Sequence, residues 1–116
     1  MNAGAGVRIW LGFEPVDMRL GFDGLAARVQ HVLELNPFDG HWFVFRSRNG
    51  TRLKILTFDG IGWWLYYRRL EKGRFTWPGV NARGAIELSQ AQLAVLTQGL
   101  DWRLVRQAPR LAPAIA

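Results

Sequence analysis

The stretch 42–78 constrains the fold more than any other part of the chain. It contains three runs rich in β-branched and aromatic residues, separated by an Asn-Gly turn signal at 49–50 and an Asp-Gly signal at 59–60. Runs of this kind joined by such dipeptides are typical of antiparallel hairpins. We therefore predict an antiparallel β-meander built from residues 42–47, 51–58 and 62–69.

The first turn allows two registers, and the choice decides which side chains share a face. A two-residue turn would set Arg46 across from Leu53. A three-residue loop, 48–50, aligns Phe45 with Leu53 instead and keeps the apolar residues together. Because a one-residue slip moves a whole strand's side chains to the other face, we expect the three-residue loop with Gly50 left-handed.

The second turn is expected to be a two-residue loop at Asp59-Gly60, which places Ile55 opposite Trp64. With both registers, one face of the meander is apolar and carries Phe43, Phe45, Leu53, Ile55 and Trp64. The other face mixes basic and aromatic side chains, namely Arg46, Arg52, Lys54, Trp63 and Tyr67. If helices cover both sheet faces, these aromatic residues become core as well.

The flanking segments add a short strand at 7–13, an amphipathic helix at 21–34, a short strand at 85–88 and a second helix capped by Ser89. Ser89 followed by Gln92 resembles a capping box. The sequence thus predicts one small α+β domain over 1–102, with a frayed N-terminus at 1–6 and helices packed on one face of the sheet. Residues 103–116 are predicted to form a flexible, basic, Pro/Ala-rich tail.

Charge points to a polyanionic partner. The net charge is +6, the isoelectric point is about 11.1, and 13 of the 15 basic residues are arginine. The planar guanidinium suits phosphate, although a GC-rich genome would enrich arginine equally. No cysteine is present, so disulfides and thiolate sites are excluded. No long apolar run and no signal-like start are found, so we expect a cytoplasmic protein without membrane contact.

No catalytic constellation is visible in the sequence. His31 and His41 lie on separate predicted elements, and Ser47 has no evident general base. The carboxylates are explained as caps, turn residues or ion pairs, so a two-metal nuclease is disfavoured. We predict no enzyme activity, no metal, no cofactor and no small-molecule substrate.

Binding to DNA is the favoured function, because arginines contact phosphates and exposed aromatic rings stack on bases. The candidate residues are Arg46, Arg48, Arg52, Lys54, Trp63, Tyr67, Arg68, Arg69, Lys72 and Arg74. The competing hypothesis is a protein-binding surface anchored by Trp63, Tyr67 and Trp77. The basic run 68–74 could also be a plain solvated surface.

Three segments resemble a known family: VDMRLGFDGLA at 16–26, PFDGHWFVFRSRNGTRLKIL at 37–56 and DGIGWWLYYRRLEKGRFTWP at 59–78. They look like the TnpB accessory proteins of the insertion sequence 66 family of bacterial transposable elements. The likeness spans 7–102, with Trp63 where the family usually has phenylalanine and Arg68 where it often has lysine. The resemblance implies a role in transposition beside a separate, larger transposase, which makes DNA and that transposase the expected partners.

Overall fold

The computed structural model describes residues 3–78 and 84–106, in which a five-stranded sheet carries two α-helices. The strand order is β4-β3-β2-β1-β5; among the strand pairs of these described residues, β1–β2 is parallel and the other three are antiparallel. The elements are β1 Ile9–Gly12, α1 Phe22–His31, β2 Trp42–Arg46, β3 Arg52–Phe58, β4 Trp63–Arg69, β5 Ala85–Leu88, α2 Gln90–Thr97 and a 3-10 helix Trp102–Leu104. The α+β class, the single domain and the antiparallel meander of β2, β3 and β4 are confirmed.

The predicted β2–β3 register was wrong by one residue. Arg46 lies opposite Leu53 and Phe45 opposite Lys54, which is the pairing that the three-residue loop was chosen to avoid. Ser47 N donates to the carbonyl of Arg52 at 2.9 Å, so the loop between them has four residues, 48–51. Gly50 is left-handed, with φ +75°, as expected.

The β3–β4 hairpin keeps the predicted faces but is offset by two residues. Ile55 lies opposite Tyr66 rather than Trp64. The loop has two residues, as expected, but they are Gly60 and Ile61, because Asp59 N donates to the carbonyl of Gly62 at 3.0 Å. Gly60 has φ +95°, a backbone conformation that glycine adopts without strain.

The helices cover opposite faces of the sheet, so the prediction that they pack on one face was wrong. On the α1 face, Leu25 and Val29 of the helix pack with Phe43, Phe45 and Leu56. On the α2 face, the buried cluster comprises Ala3, Ile9, Leu11, Trp42, Val44, Leu53, Ile55, Phe75, Leu88, Leu93, Leu96 and Trp102. Because apolar residues on either face find a partner helix, they need not share one face, and this explains the one-residue error.

The described residues nearest the two chain ends make contacts that the sequence did not predict. Ala3 is buried and its carbonyl accepts a hydrogen bond from Gln90 Nε2, although 1–6 was predicted to fray. Arg103 and Leu104, at the start of the predicted tail, belong to the 3-10 helix. The rest of that tail, from 107 onward, and most of the predicted loop 79–84 lie outside the described residues. The capping box of α2 is present, with Gln92 N donating to Ser89 Oγ at 3.1 Å.

Candidate nucleic-acid interface

Most of the predicted binding residues meet at one end of the sheet, which we call the basic end. It consists of the β2–β3 loop, 48–51, together with residues 52 and 68–74. Leu70 N donates to the carbonyl of Thr51 at 2.9 Å, and Phe75 N donates to that of Gly50 at 2.8 Å, so the two segments lie side by side. The exposed cations of this end are Arg48, Arg52, Arg68, Arg69, Lys72 and Arg74.

The β2–β3 loop holds Arg48 in a defined position. The side-chain oxygen Oδ1 of Asn49 accepts hydrogen bonds from Ser47 Oγ at 2.8 Å, Thr51 N at 3.1 Å and Thr51 Oγ1 at 2.9 Å. Gly50 N donates to the carbonyl of Ser47 and closes the turn. Turn-forming asparagine and left-handed glycine are the residues that such a loop favours. The backbone of the loop therefore has few alternative conformations, and it holds Arg48 in a defined position.

Two arginines and a tyrosine surround a shallow hollow on the α1 face of the basic end. Arg52 on β3 lies directly opposite Arg69 on β4. Tyr67, two residues before Arg69, is on the same face of the sheet. These three side chains line a space of about 320 Å³. Arg69 also forms an exposed ion pair with Glu71, at 2.9 Å. An aromatic ring beside two guanidinium groups can stack on a base while the cations contact phosphate.

Two further hollows adjoin this end. One, of about 610 Å³, lies between the loop and residues 15–18 and is lined by Arg48 and Arg52. Asp17 also lines it, but that carboxylate is paired with Arg19 at 2.7 Å. The hydrogen bonds from Arg19 hold the pKa of Asp17 at about 2, so the carboxylate is ionised at neutral pH, and the paired Arg19 offsets its negative charge. The other, of about 300 Å³, lies beside Arg74 and Trp77.

Arg46 lies on the α2 face, opposite to the face that carries Arg52 and Lys54, since the register differs from the prediction. Its guanidinium stands 5.7 Å from the ring centroid of Trp77, and its Nη2 donates to the carbonyl of Phe13 at 3.4 Å. Burial lowers the pKa of Arg46. The side chain thus joins β2 to the segments around it, and the grouping of Arg46 with Arg52 on one sheet face was wrong.

Lys54 was predicted as a nucleic-acid contact, but it is only 7% exposed. Its Nζ donates to the carbonyl of Met18 at 2.6 Å and to that of Leu20 at 2.9 Å. It also stands 4.9 Å from the ring centroid of Tyr67. A buried ammonium must be satisfied by acceptors, and here they belong to the turn before α1. Lys54 therefore anchors that turn to the sheet.

The two predicted stacking residues differ in their surroundings. Trp63 is half-buried, with its ring centroid 4.9 Å from that of Phe58 and 5.0 Å from that of Phe38. The ring of Trp63 therefore packs against other side chains of the protein. This agrees with the alternative that helices cover both faces of the sheet. Tyr67 remains 53% exposed, next to the basic end.

The sequence interpretation missed an aromatic cleft at the opposite end of the sheet. We define it as Trp42, Tyr66 and Trp64 with the carboxylates of Asp39 and Asp59, around a space of about 540 Å³. The ring centroids of Trp42 and Tyr66 are 5.4 Å apart, and those of Tyr66 and Trp64 are 6.5 Å apart. Trp64 was predicted on the apolar face of the meander, but it is 55% exposed because β4 is an edge strand.

Trp64 is fixed in the cleft by Asp59, whose Oδ2 accepts from the indole Nε1 at 2.8 Å. The same carboxylate accepts from the amides of Gly62 and Ile61, and these bonds lower the pKa of Asp59. The sequence contained a signal for this role of Asp59, namely an aspartate just before a turn. Such residues commonly accept hydrogen bonds from amides two and three residues later. The cleft thus carries negative charge beside exposed rings.

Within 3–78 and 84–106, no group of three or more His, Cys, Asp or Glu side chains comes close enough to hold a metal ion. None of the helices in the same ranges is long and apolar enough to cross a membrane.

Comparison with known proteins identifies the family. The chain is 52% identical over 103 residues to the uncharacterized protein y4hO of Sinorhizobium fredii (strain NBRC 101917 / NGR234), covering 89% of each chain. It is 39% identical over 108 residues to the protein y4jC of the same strain, covering 93% of this chain and 92% of the relative. No solved structure gives a significant match.

The sequence model of the IS66 Orf2-like proteins matches residues 7–107, a range that includes the basic end, the aromatic cleft and both helices. The match includes the three segments on which the resemblance was based. The chain therefore belongs to the family of IS66 Orf2-like proteins, which have an accessory role in the transposition of insertion sequences.

Proposed function

We propose that this protein is a non-catalytic accessory factor of transposition that binds DNA through the basic end. The observation that carries the proposal is the convergence of six exposed cations on two hydrogen-bonded segments. Only Glu71 among the residues of 68–74 is acidic, and it is already paired with Arg69. Like charges this close repel each other, and a phosphate backbone relieves the repulsion.

The proposed contact set is narrower than the set expected from the sequence. Arg48, Arg52, Arg68, Arg69, Lys72 and Arg74 contact phosphates, and Tyr67 supplies the stacking ring. Lys54, Arg46 and Trp63 are left out of direct contact, because their polar groups or rings are engaged within the protein. They support the interface by holding the strands and the neighbouring turn in place.

The test is DNA binding measured over a range of salt concentrations. Each phosphate contact releases counterions and adds about 0.9 to the slope of log K against log salt. Replacing Arg69, Lys72 and Arg74 with glutamine should weaken binding to a short duplex and lower that slope by about 2 to 3. The fold should remain intact, because all three side chains are exposed.

The matched control removes the same charge elsewhere. Arg8, Arg103 and Arg106 are exposed and lie outside the two segments of the basic end. The triple glutamine variant at these positions changes the net charge equally and should leave most of the slope unchanged. Equal slopes for both triple variants would show that only net charge matters, and a wild-type slope in the first variant would exclude the basic end.

A second candidate function is an adaptor that contacts the transposase, and the aromatic cleft favours it. Exposed tryptophan and tyrosine are the residues that dominate protein-binding hot spots. The anchors would be Trp64 and Tyr66 rather than Trp63 and Trp77, which are half-buried. This function requires co-purification with the transposase that survives nuclease and high salt and is lost in Trp64→Ala. Loss of co-purification on nuclease treatment would leave DNA as the link.

A further inference from the structure

The outer edge of β4 carries backbone groups that no strand satisfies in the described part of the chain. β4 is the first strand in the sheet order, and β3 is its only paired neighbour there. Hydrogen-bonded and non-hydrogen-bonded residue pairs alternate along the β3–β4 ladder. Two backbone hydrogen bonds, Leu70 N to Thr51 O and Asp59 N to Gly62 O, show which pairs are the hydrogen-bonded ones. Even-numbered residues of β4 therefore bond to β3, and the amides and carbonyls of 63, 65, 67 and 69 point outward.

This edge lacks most of the features that discourage strand addition. β4 has seven residues, contains no proline, and is apolar or aromatic from Trp63 to Tyr67. Charge is confined to one end, at Arg68 and Arg69. The opposite edge of the sheet is better protected, because β5 has only four residues and exposes Glu87. A long unguarded edge is a template for another strand.

Two copies of β4 have complementary charge patterns when they lie side by side in the antiparallel orientation. Its C-terminal end carries Arg68 and Arg69, whereas its N-terminal end carries two tryptophans and follows the carboxylate of Asp59. A parallel copy would place arginine beside arginine, which is unfavourable. An antiparallel copy brings each basic end to the aromatic, acidic end of the other, and does so twice by symmetry.

We propose that β4 pairs antiparallel with β4 of a second copy of this chain, about a two-fold axis at Tyr66, to form one continuous sheet. In this register Trp63 lies opposite the partner's Arg69, and Leu65 lies opposite the partner's Tyr67. All four outward-facing residues of each copy then form hydrogen-bonded pairs. Arg68 lies beside the partner's Trp64, where a guanidinium can contact the ring face. The two basic ends point in opposite directions along the shared sheet.

The first test measures the mass of the full-length chain in solution by sedimentation over a wide concentration range. The wild type should form a dimer. Tyr67→Pro removes an outward N–H without touching the β3–β4 ladder, and should weaken dimerisation by about tenfold or more, because two intermolecular bonds are lost. Tyr67→Thr removes the same ring but keeps the N–H and should still dimerise. A monomeric wild type, or equal dimerisation of the proline variant, overturns the proposal.

A second test does not depend on how well the proline variant folds. The chain has no cysteine, so single-cysteine variants are unambiguous. Tyr66→Cys places two thiols across the axis at a non-hydrogen-bonded pair, where Cα atoms lie about 4.5 Å apart and a disulfide is allowed. Ile61→Cys is the control, since Ile61 is 96% exposed but far from the axis. Oxidation should cross-link the first variant only, and the reverse result overturns the register.

Discussion

Lys54 and Arg52 are two residues apart on β3 and point to the same face, yet their side chains have different surroundings. Arg52 is exposed beside Arg69 at the basic end. Lys54 is buried and donates to two carbonyls of the turn before α1. Alternation along the strand predicted their common face but could not reveal that residues 18–20, far earlier in the chain, cover one of them.

Replacing Lys54 with methionine tests this assignment. Methionine keeps the apolar stem, but it leaves the carbonyls of Met18 and Leu20 without their donor. The variant should lose about 1–3 kcal/mol of unfolding free energy, measured by urea titration. Arg52→Met is the matched control and should change stability by less than about 0.5 kcal/mol. Equal effects would contradict a buried structural role for Lys54.

The carboxylate of Asp59 provides a prediction about pH. The amides of Gly62 and Ile61 and the indole of Trp64 lower its pKa below the ordinary value of 3.8. A carboxyl group whose pKa is lower in the folded state stabilises that state at every pH above its pKa in the unfolded state. This contribution to the unfolding free energy disappears as the pH falls through the pKa of the folded state. The indole N–H resonance of Trp64 should therefore stay constant near neutral pH and shift only with a midpoint below 3.8.

The control for this titration is Asp59→Asn. Asparagine keeps an oxygen acceptor for the turn amides but cannot ionise, so the indole resonance should lose its acid transition. A midpoint above the ordinary carboxyl value in the wild-type protein would show that the Asp59 hydrogen bonds do not favour its charged form.

At the scale of elements, the sequence predicts which segments form strands and helices better than how they pair. The meander, the strand at 85–88 and the capping box at Ser89 follow from local patterns and are present. The prediction of the β2–β3 register was wrong because it assumed that only one face of the sheet is buried. Val44 and Phe45 are both buried, on opposite faces under different helices, and alternation carries no information when both faces are covered.

The candidate site was predictable to the extent that it depends on local sequence. The cations of the loop and of 68–74 are close in the sequence to turns, and turns at one end of a meander lie together. Trp64 and Lys54 were misplaced because their exposure depends on which strand forms the sheet edge and on where residues 18–20 pack. Neither fact can be obtained from periodicity.

The β2–β3 loop depends on a left-handed residue at position 50. An alanine Cβ there would lie 3.6 Å from Arg74 Cβ, an ordinary contact, so the cost comes from the backbone conformation at φ +75°. Gly50→Ala should destabilise the protein by about 1 kcal/mol in urea unfolding. Gly62→Ala is the control, because no atom would lie within 4 Å of its Cβ and its φ is not positive. A greater loss at Gly62 would contradict the loop geometry.

At the scale of the whole molecule, charge is divided between the two ends of the sheet. Six exposed cations lie at the β2–β3 loop and its neighbouring segment, whereas Asp39 and Asp59 lie with the exposed rings of the aromatic cleft at the other end. A phosphate backbone is attracted more strongly to the first end than to the second. Within one chain, the basic end therefore suits DNA and the aromatic cleft suits a protein.

Amide NMR spectra of the wild-type protein titrated with a short DNA duplex test this account most directly. The account predicts that the largest shifts occur in residues 48–52 and 68–74, that they reverse on addition of salt, and that α2 changes little. Shifts concentrated in the aromatic cleft or along α1, with the basic end unchanged, would contradict it.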